Sequence, residues 1–211
     1  MLRIEPYGED EDLIASVRAE GGVRVRITRP SRPVVVLGRS GDPDVELHGE
    51  ALQRDGTPVQ RRRGGGCAVL LDPGNLVVAV VAAVPGLAGI HPHFRAMSRW
   101  IGEALEDLGV HGVEQRGISD LAVAERKIGG SCIFRAKDLL YYSTTSLVEP
   151  QIRLMERYLR HPPREPDYRA GRPHRAFVTA LGHAPWHLTT AAVLDALSQR
   201  LTPGTWERHR P

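Results

Sequence analysis

Residues 61–84, RRRGGGCAVLLDPGNLVVAVVAAV, contain the pattern that decides the fold. Three glycines follow three arginines, an apolar pattern resumes at 68–71, and residues 72–75 have the composition of a turn. Residues 76–84 are apolar throughout, which is typical of a fully buried strand. The stretch therefore predicts two strands joined by a tight turn, with a basic, glycine-rich loop before them.

Strand and helix patterns continue outward from this stretch without a regular βαβ repeat. Further strands are predicted over 22–28, 34–37, 59–63, 120–124, 127–135 and 139–148. Helices are predicted over 10–18, 44–54, 93–108, 152–159 and 187–201, and a loop with four prolines over 161–175. This order predicts an α+β fold with a mixed, mainly antiparallel β-sheet flanked by helices.

Composition bounds the class of protein. The chain has 211 residues, 41% hydrophobic and 25% charged, so we expect one globular domain. No apolar run approaches the roughly 20 residues of a membrane span, and the acidic N-terminal stretch lacks a secretory signal. With only two cysteines, free thiols and a cytoplasmic location are expected. A net charge of +3 with 5% aromatic residues favours an anionic small substrate or an acidic carrier protein over nucleic acid.

Lysine is rare in this chain. Lys127 and Lys137 are its two lysines, against 26 arginines. Where arginine serves as the general surface cation, a retained lysine indicates a need for a compact ammonium group, although a leftover surface lysine remains an alternative for either position.

The first candidate site is the basic glycine loop. Glycines at 64, 65 and 66 let the backbone approach an anion, and the forks of Arg61 and Arg62 suit phosphate or carboxylate oxygens. A glycine-hinged hairpin with a solvated basic edge is the alternative.

The second candidate site runs from Asp120 to Ser131. Lys127 opens a predicted strand and is followed by Ile128, Gly129 and Gly130. A lysine there could neutralise charge developing on a carboxylate or phosphoryl oxygen, and Asp120 could hold that lysine or a metal ion. An ordinary hairpin with charged ends is the simpler alternative.

The cysteines and histidines carry weaker signals. Cys67 or Cys132 could form a thioester if its pKa were lowered, but each also fits as a small buried apolar residue. The histidines lack the spacing of a zinc site.

Taken in order, the two sites resemble the lipoate–protein ligase branch of the biotin/lipoate protein ligase superfamily. Residues 61–68, RRRGGGCA, and 72–75, DPGN, resemble the family's Arg-Arg-x-Ser/Thr-Gly-Gly-Gly-Ala and Asp-x-Gly-Asn. Residues 119–121, SDL, and 125–132, ERKIGGSC, resemble Asn-Asp-Leu and Gly-Arg-Lys-Ile-Ser-Gly-Ser-Ala. The resemblance covers residues 8–160.

The chain departs from the family pattern at four places. Gly64 stands where the family has Ser or Thr, Cys67 replaces a third glycine, and Leu71 takes a position often held by histidine. Residues 143–145, STT, fall where the family has His-Gly-Thr. The family's larger ligases also carry an accessory domain, for which 161–211 is too short, so the two alternatives are that the chain requires a separate accessory protein or that it works without one.

The resemblance implies a function and a role for each residue. The family activates a medium-chain acid with ATP and Mg²⁺ as an acyl-adenylate, then transfers the acyl group to a carrier lysine. Lys127 is the implied catalytic residue, and Asp120 the implied contact for magnesium or nucleotide. The implied substrate- and nucleotide-binding residues are Arg61, Arg62, Gly64, Gly65, Gly66, Cys67, Asn75, Asp120, Gly130 and Ser131.

The sequence therefore predicts an ATP-dependent lipoate or octanoate protein ligase. Its expected partners are the lipoyl carrier domain of 2-oxoacid dehydrogenase complexes or the glycine cleavage H protein. Two alternatives remain. One is an octanoyl or lipoyl transferase that works through an acyl thioester on Cys132 or Cys67, and the other is a non-catalytic homologue that binds an acyl cofactor or a carrier.

Overall fold

The computed structural model describes residues 2–86 and 89–211. The strands are β1 (Ile4–Pro6), β2 (Val23–Thr28), β3 (Val34–Leu37), β4 (Val59–Arg61), β5 (Val69–Leu71), β6 (Asn75–Ala83), β7 (Val113–Arg116), β8 (Asp120–Val123), β9 (Arg126–Ala136) and β10 (Leu139–Leu147). The helices are α1 (Glu11–Glu20), α2 (Pro43–Glu46), α3 (Gly49–Asp55), α4 (Ile90–Glu106), α5 (Ile152–Tyr158), α6 (His174–Phe177), α7 (Thr190–Arg200) and α8 (Pro203–Trp206), with a 3-10 helix at Asp167–Arg169.

The strands form two sheets. The larger sheet is antiparallel throughout and has the order β2-β6-β10-β9-β8-β7. The smaller sheet has the order β1-β4-β3-β5, in which β4 is parallel to both β1 and β3. The predicted mixed, mainly antiparallel α+β architecture is therefore confirmed, with its strands divided between two sheets.

Strand β6 lies between β2 and β10 in the larger sheet and is buried on both faces. Leu76, Val78 and Val80 pack on one face with residues of α4 and α7. Ala79 and Val81 pack on the opposite face with Ile14 and Val17 of α1, among others. The apolar run predicted this burial because each face of a strand takes alternate residues.

The smaller sheet has a separate core. Val35, Leu37 and Val59 pack against Leu52 of α3 and Met155 of α5, in a cluster that also includes Phe177 of α6. This arrangement sets the glycine loop, which connects β4 to β5, beside the larger sheet.

Several sequence expectations need correction. The helix predicted over 44–54 is two helices, because Leu47 forms a β-bridge with Leu159 and the His48 amide donates to the Tyr158 carbonyl. The last long helix begins at Thr190, where the Thr189 side chain caps it, and not at 187. Strands β1 and β7 and the short helix α8 were not predicted. Among the described residues, no helix is long and apolar enough to cross a membrane.

Candidate active site

Lys127 and Asp120 form an ion pair at one end of the larger sheet. Lys127 Nζ lies 2.6 Å from Asp120 Oδ1, and both side chains are largely buried. The pairing of β8 with β9 shifts register between Leu121 and Ala122, so Asp120 lies opposite Gly130 and Lys127 lies opposite Ala122. The irregularity brings together two residues that are seven positions apart in the sequence.

Gly130 leaves room for the lysine. A Cβ atom at this position would lie 2.8 Å from Lys127 Nζ and 2.9 Å from its Cε. Any larger residue would therefore displace the ammonium group. Ser131 follows, and its hydroxyl donates to the Ser119 carbonyl at 2.9 Å, so this side chain braces the turn before β8.

The glycine loop, residues 64–66, packs directly on the same strand. A Cβ atom at Gly64 would lie 2.6 Å from Cys132 Sγ. At Gly38, at the end of β3, a Cβ atom would lie only 1.9 Å from the Gly66 carbonyl oxygen. Cys132 therefore occupies space that a side chain at 64 would need, which explains why serine or threonine is absent there.

Arg61 and Arg62 hold the loops in place. Arg61 Nη1 donates to the carbonyls of Gly38, Arg39 and Gly41 at 2.8–3.2 Å. The Arg62 guanidinium donates to the carbonyls of Val36, Gly65 and Cys67. These donors contact protein carbonyls, whereas the sequence suggested direct contacts to substrate.

The amides of the glycine loop are available for an anion. In the part of the chain that the structure describes, none of the amides of Gly64, Gly65 and Gly66 donates a hydrogen bond. Gly66 has a φ of +92°, a conformation that L side chains rarely adopt. Gly65 and Gly66 are exposed. The loop therefore has N–H groups without a partner among the described residues, and it packs on β9, the strand that contains Lys127.

The two cysteines differ in environment. Cys132 is buried, and burial raises the pKa of its thiol, which opposes nucleophilic chemistry. Cys67 is half-buried, and its thiol contacts the Arg164 carbonyl at 3.6 Å. Asn75 begins β6, fully buried, and its amide group donates to the Asp72 carbonyl at 3.3 Å. The structure therefore makes Asn75 part of a turn.

The proline-rich segment 161–175 closes over the site. The Tyr168 hydroxyl donates to Asp120 Oδ2 at 2.9 Å, and burial together with Asp120 raises the pKa of Tyr168. Its neighbour Arg169 is 4% exposed. Sequence reasoning left the role of this segment open, and a tyrosine in a chain poor in aromatic residues was the available signal.

Polar groups also lie beneath the glycine loop. Asp10, 5% exposed, accepts a hydrogen bond from the Tyr141 hydroxyl at 2.7 Å. Burial raises the pKa of Asp10. Glu46, which is also 5% exposed, accepts from the amides of Asp42 and Ala68 and so fixes the exit of the loop. Neither carboxylate was identified from the sequence.

No cluster of three or more metal-ligating side chains occurs among residues 2–86 and 89–211. Asp120 stands alone as the predicted magnesium contact, with one oxygen on Lys127 and the other on Tyr168. A single carboxylate suits a magnesium ion that arrives with phosphate oxygens, because Mg²⁺ sites commonly combine one or two carboxylates with substrate phosphates.

A family model described as the lipoyl protein ligase A/B catalytic domain matches residues 8–202. The chain is 29% identical to a putative lipoate-protein ligase A of Aeropyrum pernix over 158 residues, 70% of this chain and 59% of that protein. It is 30% identical to a lipoate–protein ligase of Streptococcus pyogenes over 128 residues, 61% of this chain and 37% of that protein. The chain thus spans between about a third and three fifths of these relatives.

Solved structures share the fold. A bipartite lipoate protein ligase of Thermoplasma acidophilum, described with its E2 lipoyl domain, superposes with a TM-score of 0.75 at 20% identity, covering 94% of this chain and 79% of that one. A lipoate-protein ligase A bound with ATP gives 0.74 at 21% identity, with coverage of 94% and 81%. A putative ligase of T. acidophilum with bound lipoic acid gives 0.73 at 20% identity, with coverage of 94% and 81%.

Proposed function

The chain belongs to the lipoyl protein ligase A/B catalytic domain family, and from that premise we propose that it is an ATP-dependent lipoate or octanoate protein ligase. The observation that carries the proposal is the ion pair of Lys127 with Asp120, whose charged atoms lie 2.6 Å apart beside Gly130. Lys127 belongs to β9, the strand on which the glycine loop packs. ATP and lipoic acid are bound in solved proteins of the same fold.

The first half-reaction forms an acyl-adenylate. A carboxylate oxygen of the acid attacks the α-phosphorus of ATP, the bond to pyrophosphate breaks, and pyrophosphate leaves. In this proposal Lys127 offsets the negative charge of the attacking carboxylate and of the phosphoryl oxygens, and the ion pair with Asp120, which holds its ammonium at the sheet end, supports that role. The unpaired amides of the glycine loop supply further donors to the same anions.

The second half-reaction transfers the acyl group. The neutral amine of a carrier lysine attacks the acyl carbonyl, AMP leaves, and the nitrogen loses a proton to solvent. Lys127 again stabilises the oxygen on which negative charge develops. Segment 161–175 covers the site and so excludes water from the mixed anhydride. Tyr168 of this segment contacts Asp120, and the Arg164 carbonyl of the same segment contacts the Cys67 thiol.

Magnesium would supply charge neutralisation on the nucleotide phosphates. Asp120 Oδ2 is the protein oxygen that could contact it, after Tyr168 releases its hydrogen bond. For the acyl acceptor we propose the lipoyl domain of a 2-oxoacid dehydrogenase complex or a glycine cleavage H protein. The bipartite ligase of T. acidophilum, which shares this fold, is described together with its E2 lipoyl domain, and this supports a carrier of the same class.

Acid-dependent ATP–pyrophosphate exchange tests the proposal, with lipoate and octanoate in separate reactions. Lys127→Ala should lower the exchange rate roughly 100- to 1000-fold, the effect of losing one preorganised donor to a developing negative charge. Lys137→Ala is the matched control, because Lys137 is exposed in the turn between β9 and β10, at the opposite end of β9 from Lys127. Two results would contradict the proposal: a folded wild type that shows no exchange with either acid, or a Lys127→Ala variant whose exchange rate is unchanged.

A further inference from the structure

A surface cavity of about 480 Å³ lies between α3 and α5. Within residues 2–86 and 89–211, none of the side chains that line it hydrogen-bonds to or pairs with Lys127, Asp120 or the glycine loop. The cavity is therefore separate from the candidate active site. Its charged lining residues are His48, Glu50, Arg54, Glu156, Arg157 and Arg160.

Two of the charged residues on the cavity wall already have partners. Arg157 Nε and Nη2 donate to the two carboxylate oxygens of Asp55 at 2.6 Å and 2.8 Å, and Asp55 also accepts from the Tyr158 hydroxyl at 2.8 Å. Glu156 forms an ion pair with Arg175 at 3.1 Å. These contacts engage the two acids that could otherwise neutralise the remaining arginines of the cavity.

Arg54 and Arg160 have spare donors. Arg54, in the last turn of α3, is exposed and makes no hydrogen bond or ion pair with any residue that the structure describes. Arg160 donates from Nε to the Leu47 carbonyl at 2.8 Å, and its backbone amide donates to the Glu46 carbonyl at 2.9 Å. Its two terminal nitrogens lack a partner in the same part of the chain, so Arg160 is anchored while the end of its guanidinium fork stays open.

The charges of the lining favour an anionic ligand. Three arginines against two glutamates give a net charge of +1 with His48 neutral. Glu50 has no partner among the described residues, but it is exposed, so solvent screens its charge. Guanidinium groups suit the oxygens of phosphates and carboxylates. A phosphate group offers three or more acceptor oxygens around one centre, so it can accept from two arginines at once.

We propose that the cavity between α3 and α5 binds the phosphate group of a small anion, with Arg54 and Arg160 as its ligands. This site is additional to the nucleotide site of the proposed function and does not depend on it. Inorganic phosphate and a phosphate monoester share the chemistry that the two arginines recognise, and separate titrations with each distinguish the two sources.

Calorimetric titration at low salt tests the site, with inorganic phosphate, glycerol 3-phosphate and acetate as separate probes. Arg54→Gln and Arg160→Gln should each weaken phosphate binding by about 3- to 10-fold, the range for a partly screened hydrogen bond to a charged group. Arg153→Gln is the matched control, because Arg153 is exposed on α5 but does not line the cavity. Glu50→Gln should have the opposite sign and tighten binding by about twofold. Thermal melting reports the folding of each variant.

Arg54→Gln carries the most weight, since it removes no contact between described residues. If Arg54→Gln and Arg160→Gln both bind phosphate within about twofold of Arg153→Gln, the inference is overturned. Acetate that binds as tightly as phosphate would overturn the assignment to phosphate. The tighter of inorganic phosphate and glycerol 3-phosphate identifies whether the preferred ligand is free or esterified.

Proton–nitrogen NMR spectra locate the bound anion. On addition of phosphate, the amides of Gly49 and Ala51, which line the cavity, should shift, and these shifts should persist in Lys127→Ala. Shifts confined to the amides of residues 64–66, or their loss in Lys127→Ala, would place the anion in the candidate active site and overturn the inference. The proposed function is decided separately by pyrophosphate exchange, so its failure would leave phosphate binding at this cavity intact.

Discussion

The glycine loop and segment 161–175 are both rich in arginine, yet they use it differently. Arg61 and Arg62 donate to backbone carbonyls of the loops around them, and Arg63 pairs with Glu11 on α1. In segment 161–175, the buried Nη2 of Arg169 has no hydrogen-bond partner among residues 2–86 and 89–211. The more conspicuous arginine run in the sequence is thus a structural framework, and in our proposal the anion is bound by the loop amides that it leaves unpaired.

The difference shows that arginine side chains and backbone amides have separate roles in the glycine loop. A guanidinium that makes several hydrogen bonds to carbonyls fixes a loop whose glycines contribute no side-chain packing. The amides of that loop donate no hydrogen bond within the part of the chain that the structure describes, and the arginines beside it are occupied by carbonyls.

The largest effect should follow from breaking the loop framework at Gly38. Gly38→Ala places a Cβ atom 1.9 Å from the Gly66 carbonyl oxygen, which forces backbone to move. We expect a loss of about 3 kcal/mol in the free energy of unfolding and loss of exchange activity. Gly65→Ala is the control, since no atom lies within 4 Å of its Cβ position. Urea unfolding measures both; equal stability of the two variants would contradict the contact.

Substitutions of Arg62 and Arg63 should differ in their cost to the free energy of unfolding, because Arg62 holds the loop and Arg63 makes an exposed ion pair. Arg62→Met removes hydrogen bonds to three carbonyls, for an expected cost of about 2–3 kcal/mol. Arg63→Met breaks an exposed pair with Glu11 and should cost less than about 1 kcal/mol. Urea denaturation of both variants, with pyrophosphate exchange as the second readout, gives the comparison. A larger loss for Arg63→Met would reverse our assignment of the two side chains.

Gly64 and Cys132 should be energetically coupled. Gly64→Ser introduces a Cβ atom 2.6 Å from Cys132 Sγ, and we expect it to destabilise the protein by about 1–2 kcal/mol. Cys132→Ala removes the sulfur, so the double variant should recover about 1 kcal/mol of that loss. The measurement is a double-mutant cycle by urea unfolding. Additive effects would show that the loop does not pack on the thiol as described.

The smallest effect concerns the pH dependence of stability beneath the loop. Burial raises the pKa of Asp10 above its ordinary 3.8, so the folded state holds this proton more tightly than the unfolded state. The contribution of Asp10 to stability is full below pH 3.8 and is lost as pH rises through the folded pKa. Asp10→Asn should therefore gain stability relative to wild type as pH rises toward neutrality.

Asp12→Asn is the control of opposite sign. Arg26 lowers the pKa of Asp12 to about 2, so its contribution is present above pH 3.8 and is lost as pH falls through the folded value. Unfolding curves between pH 3 and pH 8 give both differences from wild type. Parallel slopes for the Asp10 and Asp12 variants would contradict the burial of Asp10.

The sequence predicted the elements that local pattern decides. The apolar run of β6 and the helical spacing of α4 carry their own burial signals, and both were confirmed. The break between α2 and α3 was not predictable, because it depends on pairing of Leu47 with Leu159, more than a hundred residues away. Strand β1 is three residues long and is defined by its partner β4.

The same limit applies to the site. The spacing of Asp120 and Lys127 suggested that they could meet, and the register shift of β8 on β9 brings them together. The carbonyl partners of Arg61 lie 20 to 23 residues before it in the sequence, so the pattern of three arginines could not reveal them. Prolines around Tyr168 and Arg169 obscured two residues that only tertiary contacts place beside Asp120.

Because Cys132 is buried under Gly64, the reactivity of its thiol reports on motion of the glycine loop. A thiol that is 7% exposed reacts with a disulfide reagent only when the loop lifts, so its labelling rate follows the opening equilibrium. Half-buried Cys67 provides an internal reference for the intrinsic reaction. Slower labelling of Cys132 in the presence of ATP and an acid would measure, without any substituted residue, how strongly the substrates hold the loop down.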